Sequence, residues 1–422
     1  MGPRRWHGCL DPPPRRLGPG GRGVVITVEE HLASVLAAVR PLDATTMPVD
    51  AALGRTLREP LVAAVELPPF DNSAMDGFAV HFADVRDAAA DRPAVLEVVA
   101  DLPAGSPLDP PLARGQAARI MTGAAVPTDA DTVVPFEETR GGLADSLGRI
   151  EVLAAPRAAG AHVRGRGEDC PLGGELLPAG TLLGSRQLAA AAGAGVTEVV
   201  VSRLPRVAVI STGDELRPPG APLARGQIVE SNSVLLEGLV RETGAEVVLR
   251  TTVADDGDAL RAAVAEASAL GADAIVTSGG VSAGAYEVVK TTLPMSFVSV
   301  AMQPGKPQGF GGGHPLLFGL PGNPVSVAVS FEVFVRPALL AMQARAELGR
   351  RILRLPALAG WRTPPGRRQY LPVAIEDGGV RPVGPGASHL RARLARAEAY
   401  AIVDADVTAV SAGELVDVML IS

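Results

Sequence analysis

The chain has 422 residues, 47% hydrophobic and 20% charged, so it is long enough for more than one hydrophobic core and apolar enough to fold. Its formal charge of -7, with acids and bases interspersed, excludes a general electrostatic grip on nucleic acid, and its longest uncharged stretches are too rich in Gly and Ala to read as membrane spans. Cys9 and Cys170 are the only cysteines, which excludes a disulfide framework or a thiolate metal cluster within one chain and fits a cytoplasmic protein.

Residues 1–23 hold five Pro, six Gly and five Arg and no apolar stretch of the signal-peptide kind, and read as a disordered extension. The run TVEEHLASVLAAVR (27–40) puts Leu32, Val35, Leu36 and Val39 on one helical face behind a capping Thr27, and Pro41 stops it. Residues 51–148 carry short Val, Leu and Ile runs broken by Pro, Gly and Asp and predict a β-rich domain, flanked by a helical and extended linker domain made of 24–50 and 149–184. From 185 to 345 an α/β domain is expected. There LGSRQLAAAAGAGV reads as a helix, and the strands RVAVIST, AEVVLRTTV and DAIVTS alternate with the helices SNSVLLEGLVRETG, capped by Ser and closed by Gly244, and DGDALRAAVAEASALG. Residues 346–422 return to short strands and form a C-terminal β domain.

Ligands in parallel α/β sheets bind at the carboxyl ends of the strands, and the polar loops fall there. In STGDE, Ser211 and Thr212 end a strand, Gly213 permits close approach, and Asp214 and Glu215 supply hard oxygen ligands of the kind Mg²⁺ takes. The loop SGGVS, through Ser278, Gly279, Gly280 and Ser282, offers backbone N–H groups to a phosphate or other oxyanion. Each loop also reads as an ordinary strand-ending turn. The segment GVSAG around Ser282 meets the spacing of a serine-hydrolase nucleophile elbow as well, but only His314 and His389 follow it, and neither falls in a strand-end loop of the same sheet. In PGKP, Pro304 and Gly305 fix a turn that presents Lys306 to an anion or simply to solvent, while Asn323 of LPGNP reads as the cap of the next helix.

Taken with PPFDNSAMDGFAV (68–80), ARIMTGAAVPTDADTVVPFEET (118–139) and RGRGEDC (164–170), these segments resemble the molybdopterin molybdenumtransferase family, the MoeA type that includes the C-terminal domain of gephyrin. The resemblance runs from about Thr27 to the C-terminus. It implies a multidomain fold with a central three-layer α/β/α molybdopterin-binding domain, a β-rich N-terminal module and a β-barrel-like C-terminal domain, assembled as a homodimer. It also implies Mg²⁺-dependent insertion of molybdate into adenylylated molybdopterin with release of AMP, and other proteins of molybdenum cofactor synthesis as further partners.

Carried over by motif, the implied catalytic positions are Asp76, Asp169, Glu215, Asp255, Glu287 and Lys306, with Glu215 and Asp255 on the metal. The implied substrate contacts are Thr122, Ser211, Thr212, Gly213, Ser278, Gly279, Gly280, Ser282, Pro304, Gly305, Arg367 and Ser388. The chain departs from the family at Glu287, usually Asp, at Ser299 and Gln303, often Lys, and at Pro372, frequently Arg. These losses of positive charge bear on molybdate more than on the nucleotide. Two other readings stay open: the adenylyltransferase of the preceding step, which shares the central domain, and a scaffold that binds the cofactor without catalysis.

Overall fold

The computed structural model describes residues 25–144, 146–281, 288–384 and 391–421. They fall into two compact units: one drawn from Met1–Arg40, Pro205–Leu340 and Leu348–Ser422, the other from Pro41–Leu204 and Ala341–Glu347.

The first unit is built on a seven-stranded sheet of β1 (Val25–Ile26), β2 (Arg206–Thr212), β3 (Glu246–Val253), β4 (Ala274–Ser278), β5 (Ser296–Val300), β6 (Pro307–Gly311) and β7 (Leu316–Leu320), in the order β1-β5-β6-β7-β4-β2-β3. β3, β2, β4 and β7 run parallel, and β6 is antiparallel to both its neighbours. Val207 to Ile210 and Ala274 to Val276 are wholly buried, as expected of parallel strands covered on both faces. The chain leaves β2 for β3 on one side and returns to β4 on the other, which opens a crevice between the carboxyl ends of β2 and β4.

Helix α1 (Val28–Ala38) starts with a capping box: Thr27 Oγ1 accepts from Glu30 N at 3.1 Å, and the Glu30 carboxylate accepts from Thr27 N at 2.7 Å. Helices α2 (Asn232–Glu242) and α3 (Gly257–Ala269) follow β2 and β3 as expected, and the short α4 (Val288–Thr292) follows β4. Ser231 occupies the N-cap of α2 but its side chain makes no capping bond; the Glu230 carboxylate accepts from Ser233 N instead. Asn323 likewise stands at the N-cap of α5 (Pro324–Ser330) without a capping bond. This helix continues through a π-helical turn, Phe331–Val335, to Met342. The stretch Pro324–Met342 is long and apolar enough to cross a membrane (mean hydropathy 1.7), yet 89% of its most apolar window is buried in protein, so it reads as a core helix.

The C-terminal strands are β8 (Ile352–Pro356), β9 (Arg368–Glu376), β10 (Gly379–Pro382), β11 (Ala399–Val403) and β12 (Leu415–Leu420). They form a sheet in which Met302–Gln303 pairs β9, followed by β11, β12 and β8, while β10 flanks β9. A bridge between Ala357 and Val380 brings β10 back to the end of β8, which gives the barrel-like closure expected.

The second unit contains a five-stranded sheet of Thr132–Pro135, Gly77–Val80, Gln116–Ile120, Ala94–Leu102 and Gly148–Val152. Beside it Ala44–Pro48 pairs antiparallel with Glu198–Ser202, and Leu57, Leu61, Leu183, Ala191 and Val201 share one core cluster with them. Two expected boundaries therefore move. The helix Ser185–Gly193 and the strand after it belong to this unit rather than to the α/β domain, because their apolar residues bury against residues 47–61. Conversely α1 joins the α/β unit, because β1 before it pairs with β5.

His31 of α1 is buried with its ring edge-on to Phe334, centroids 4.6 Å apart, and burial lowers its pKa to about 4. The folded state keeps the ring neutral while the unfolded chain takes up a proton below about pH 6.5. Stability present above that pH is therefore lost as pH falls toward 4, by on the order of 3 kcal/mol. A His31→Phe variant should show a smaller fall in urea midpoint between pH 7 and pH 4.5 than the parent; identical falls would place the acid sensitivity elsewhere.

Candidate functional site

Because β2, β4 and β7 run parallel, the loops after Thr212, Ser278 and Leu320 emerge at one edge of the sheet, joined by the loop after β3. They enclose a cleft of about 520 Å³ lined by Thr212, Gly213, Glu215, Asp255, Ser278, Gly279 and Gly280 among the expected residues. Glu230, Asn232, Pro307, Gly322 and Asn323 line it as well.

The floor is a buried hydrogen-bond chain. Glu230, only 5% exposed, accepts from Ser233 N (2.8 Å), Ser233 Oγ (2.6 Å) and Ser211 Oγ (3.0 Å). Ser211 Oγ also lies 3.0 Å from Ser278 Oγ. With the single Ser211 hydrogen committed to the carboxylate, the Ser278 hydroxyl donates to Ser211. Ser211 thus sits beneath the cleft, tying β2 to β4, rather than lining it. Glu230 escapes sequence reasoning because it looks like an acid ahead of a helix; its partners are the end of β2 and the first turn of α2.

Glycine is required where the loops approach. Gly279 has φ +95° and Gly280 φ +62°; a Cβ on Gly279 would lie 2.6 Å from the Thr212 carbonyl oxygen, and one on Gly280 3.2 Å from Thr212 Oγ1. Among the described residues, Thr212 Oγ1 and Asn232 Oδ1 are buried without a hydrogen-bond partner, while Asn232 Nδ2 donates to Gly322 O at 2.7 Å. On the acidic side Asp214 Oδ1 accepts from Asp255 N at 3.0 Å, joining the two acidic loops, and the exposed Glu215 carboxylate folds over Gly213. Among the described residues no group of three or more His, Cys, Asp or Glu is arranged to hold a metal ion.

The PGKP turn adjoins this cleft through Pro307. Pro304 and Gly305 are buried, Lys306 is exposed, and Arg367 Nη1 donates to Gln303 Oε1 at 3.1 Å. Ser299 stands opposite Pro307 in the β5–β6 register, whereas Pro372 is buried opposite Tyr400 in the C-terminal sheet. In the second unit Asp76 Oδ1 accepts from Thr122 N (2.6 Å) and Thr122 Oγ1 (2.8 Å), and these bonds hold the Asp76 carboxyl below the usual carboxylate range. Asp169 is exposed and its N–H donates to Leu67 O at 2.9 Å; Arg166 N donates to Asp71 Oδ1 at 2.6 Å, so RGRGEDC folds against PPFDNS. Ser282, Glu287 and Ser388 lie outside the described residues.

A mostly parallel sheet with a polar, glycine-walled cleft at its switch point defines a ligand-binding α/β protein carrying additional β modules. Known proteins narrow the class. Residues 26–195 match the family model "MoeA N-terminal region (domain I and II)", 208–341 "Probable molybdopterin binding domain" and 354–421 "MoeA C-terminal region (domain IV)". The chain is 43% identical over 404 residues to "Molybdopterin molybdenumtransferase 2" of Mycobacterium tuberculosis, covering 92% of this chain and 97% of that one. It is 42% identical over 298 residues to "Molybdopterin molybdenumtransferase" of Nostoc sp., covering 68% and 67%. The crystal structure of molybdopterin biosynthesis moeA protein from Pyrococcus horikoshii OT3 superposes with a TM-score of 0.82 at 27% identity, over 94% of this chain and 100% of that one. The chain belongs to the MoeA family of molybdopterin molybdenumtransferases.

A Gly279→Ala substitution combines a positive φ with a backbone collision and should cost about 1–3 kcal/mol. Gly220→Ala, at φ +87° in open space, carries only the first term. Thermal melts should therefore rank Gly279→Ala below Gly220→Ala; the reverse order would show that the SGG loop is not packed on Thr212.

Proposed function

We propose that the chain inserts molybdate into adenylylated molybdopterin in a Mg²⁺-dependent reaction and releases AMP, working as a homodimer. The names of its relatives support the transferase activity. The observation that carries the finer reading is that one cleft of about 520 Å³, within the size range of small-molecule sites, brings together a glycine loop and two acidic loops.

Mg²⁺ is typically held by one or two carboxylates completed by phosphate oxygens and water, and Glu215 and Asp255, lining the same cleft, supply such a pair. Bound there, the ion would draw charge from the phosphate and ease departure of AMP. The remaining work falls to the chain itself. Gly279 and Gly280 let the nucleotide phosphate approach the backbone, and the Ser278–Ser211–Glu230 chain keeps the two loops in register beneath it. Lys306 and Arg367 are the cations for molybdate, a substrate oxyanion that favours charge-assisted donors. Asp76, Thr122, Asp169, Ser282, Glu287 and Ser388 keep the roles the resemblance gives them.

Incubation of the protein with adenylylated molybdopterin, Mg²⁺ and molybdate should release AMP. No release would favour a scaffold, and ATP consumption with molybdopterin the adenylyltransferase. Asp255→Asn keeps the backbone bond to Asp214, so the fold should persist while AMP release slows roughly ten-fold or more at limiting Mg²⁺, the size of one charge-assisted contact. An unchanged rate would remove Asp255 from the metal site.

The family departures yield a second test. Gln303 holds Arg367 beside the PGKP turn, so Arg367 supplies charge that the family often draws from lysine. Ser299 stands opposite Pro307, at the end of the same turn. A partly exposed ion pair contributes about 1 kcal/mol, roughly five-fold in affinity. Arg367→Ala should weaken molybdate saturation by that factor with AMP binding unaltered, and Ser299→Lys should strengthen it several-fold at low ionic strength. If neither variant changes molybdate saturation, the oxyanion does not bind at this turn.

A further inference from the structure

We propose that Gln308 is a positioning residue that sets the PGKP turn, and with it Lys306, for the anionic substrate. The inference rests on the reading of that turn as the molybdate side of the site. Gln308 lies on β6, two residues beyond Lys306, and is only 1% exposed. Its Nε2 donates to Gly305 O at 2.6 Å and to Ser330 Oγ at 2.7 Å, so both amide hydrogens have a partner. A primary amide buried without such partners is costly, and an apolar side chain of the same length would fill the space at no polar cost.

What the amide does here is local. Gly305 has φ +101°, and a Cβ on it would lie 2.9 Å from Ser330 Oγ and 3.4 Å from Gln308 Nε2, so turn, helix and amide are packed without slack. Ser330 is wholly buried at the end of α5 and supplies the amide with a polar anchor there. The next carbonyl, of Lys306, accepts from Val300 N at 2.7 Å. Both peptide planes that follow Gly305 and Lys306 are therefore pinned, one by Gln308 and one by β5, while the Lys306 side chain extends from a fixed backbone. A flexible lysine that starts from a fixed backbone loses less entropy on meeting an anion, and the gain appears in affinity rather than in turnover.

The test is titration of the full chain with sodium molybdate and, separately, with AMP, in Lys306→Ala, Gln308→Met and Ser330→Ala variants. Thermal melts accompany each variant, and the molybdate KM and kcat of AMP release are measured alongside. Gln308→Met should weaken molybdate binding roughly ten-fold, equivalent to one or two hydrogen bonds, with AMP affinity and kcat close to the parent. Ser330→Ala, which keeps the bond to Gly305 and carries little risk of misfolding, should give a smaller loss in the same direction. If Lys306→Ala weakens molybdate binding while a folded Gln308→Met and Ser330→Ala do not, the positioning role is overturned. Equal loss of AMP and molybdate affinity in Gln308→Met would overturn it too, by making the residue a general prop of the sheet. If Lys306→Ala itself leaves molybdate binding unchanged, it is the reading of the turn as the oxyanion side that fails.

Discussion

The parallel alignment of β2, β4 and β7 is the constraint on which the site depends. It delivers the ends of three strands to one edge, and the reversal of chain direction across β2 leaves a gap there. Glu230 then turns the gap into a defined cleft. A buried carboxylate is tolerated only when its oxygens are satisfied, and here the donors come from β2 and from the first turn of α2, with β4 linked through Ser211. The same group caps α2 in place of Ser231, so the floor of the cleft and the start of the helix are fixed by one side chain.

Around that floor the glycines act by geometry. Gly279 and Gly280 bring the loop within contact of Thr212, at backbone angles that side-chain-bearing residues rarely adopt. The acidic loops are joined by a bond from a backbone N–H to a carboxylate, which leaves Glu215 at the cleft surface. The cationic side follows a related logic with glutamines: Gln303 orients Arg367 and Gln308 fixes the backbone ahead of Lys306.

Much of this is legible in the sequence wherever local patterning decides. The alternation of strands and helices from Arg206 onward, the Thr27 and Glu30 capping box, and the position of STGDE and SGG after apolar strands all depend on neighbours in the chain. What escaped depends on distant partners. A two-residue strand such as Val25–Ile26 carries no periodicity of its own, and its pairing with Ser299 and Val300, with the packing of Val28 and His31 on the helix that holds Phe334, assigns α1 to the α/β unit. The helix Ser185–Gly193 is amphipathic in either setting, and its pairing partners, not its pattern, decide its unit. Glu230 and Gln308 look like unremarkable polar residues until their hydrogen-bond partners are known. The MoeA motifs in the second unit were legible as a resemblance, and the Asp76 to Thr122 bonds give two of them a common physical basis.

If the proposed reaction is right, the switch-point cleft, floored by Glu230, is where the nucleotide half of the substrate binds. A crystal structure of the full chain soaked with AMP and Mg²⁺ tests it directly. AMP should occupy the cleft, with its phosphate against the Gly279–Gly280 backbone and metal density between Glu215, Asp255 and the phosphate. Ordered AMP bound elsewhere, with this cleft filled only by water, would contradict it.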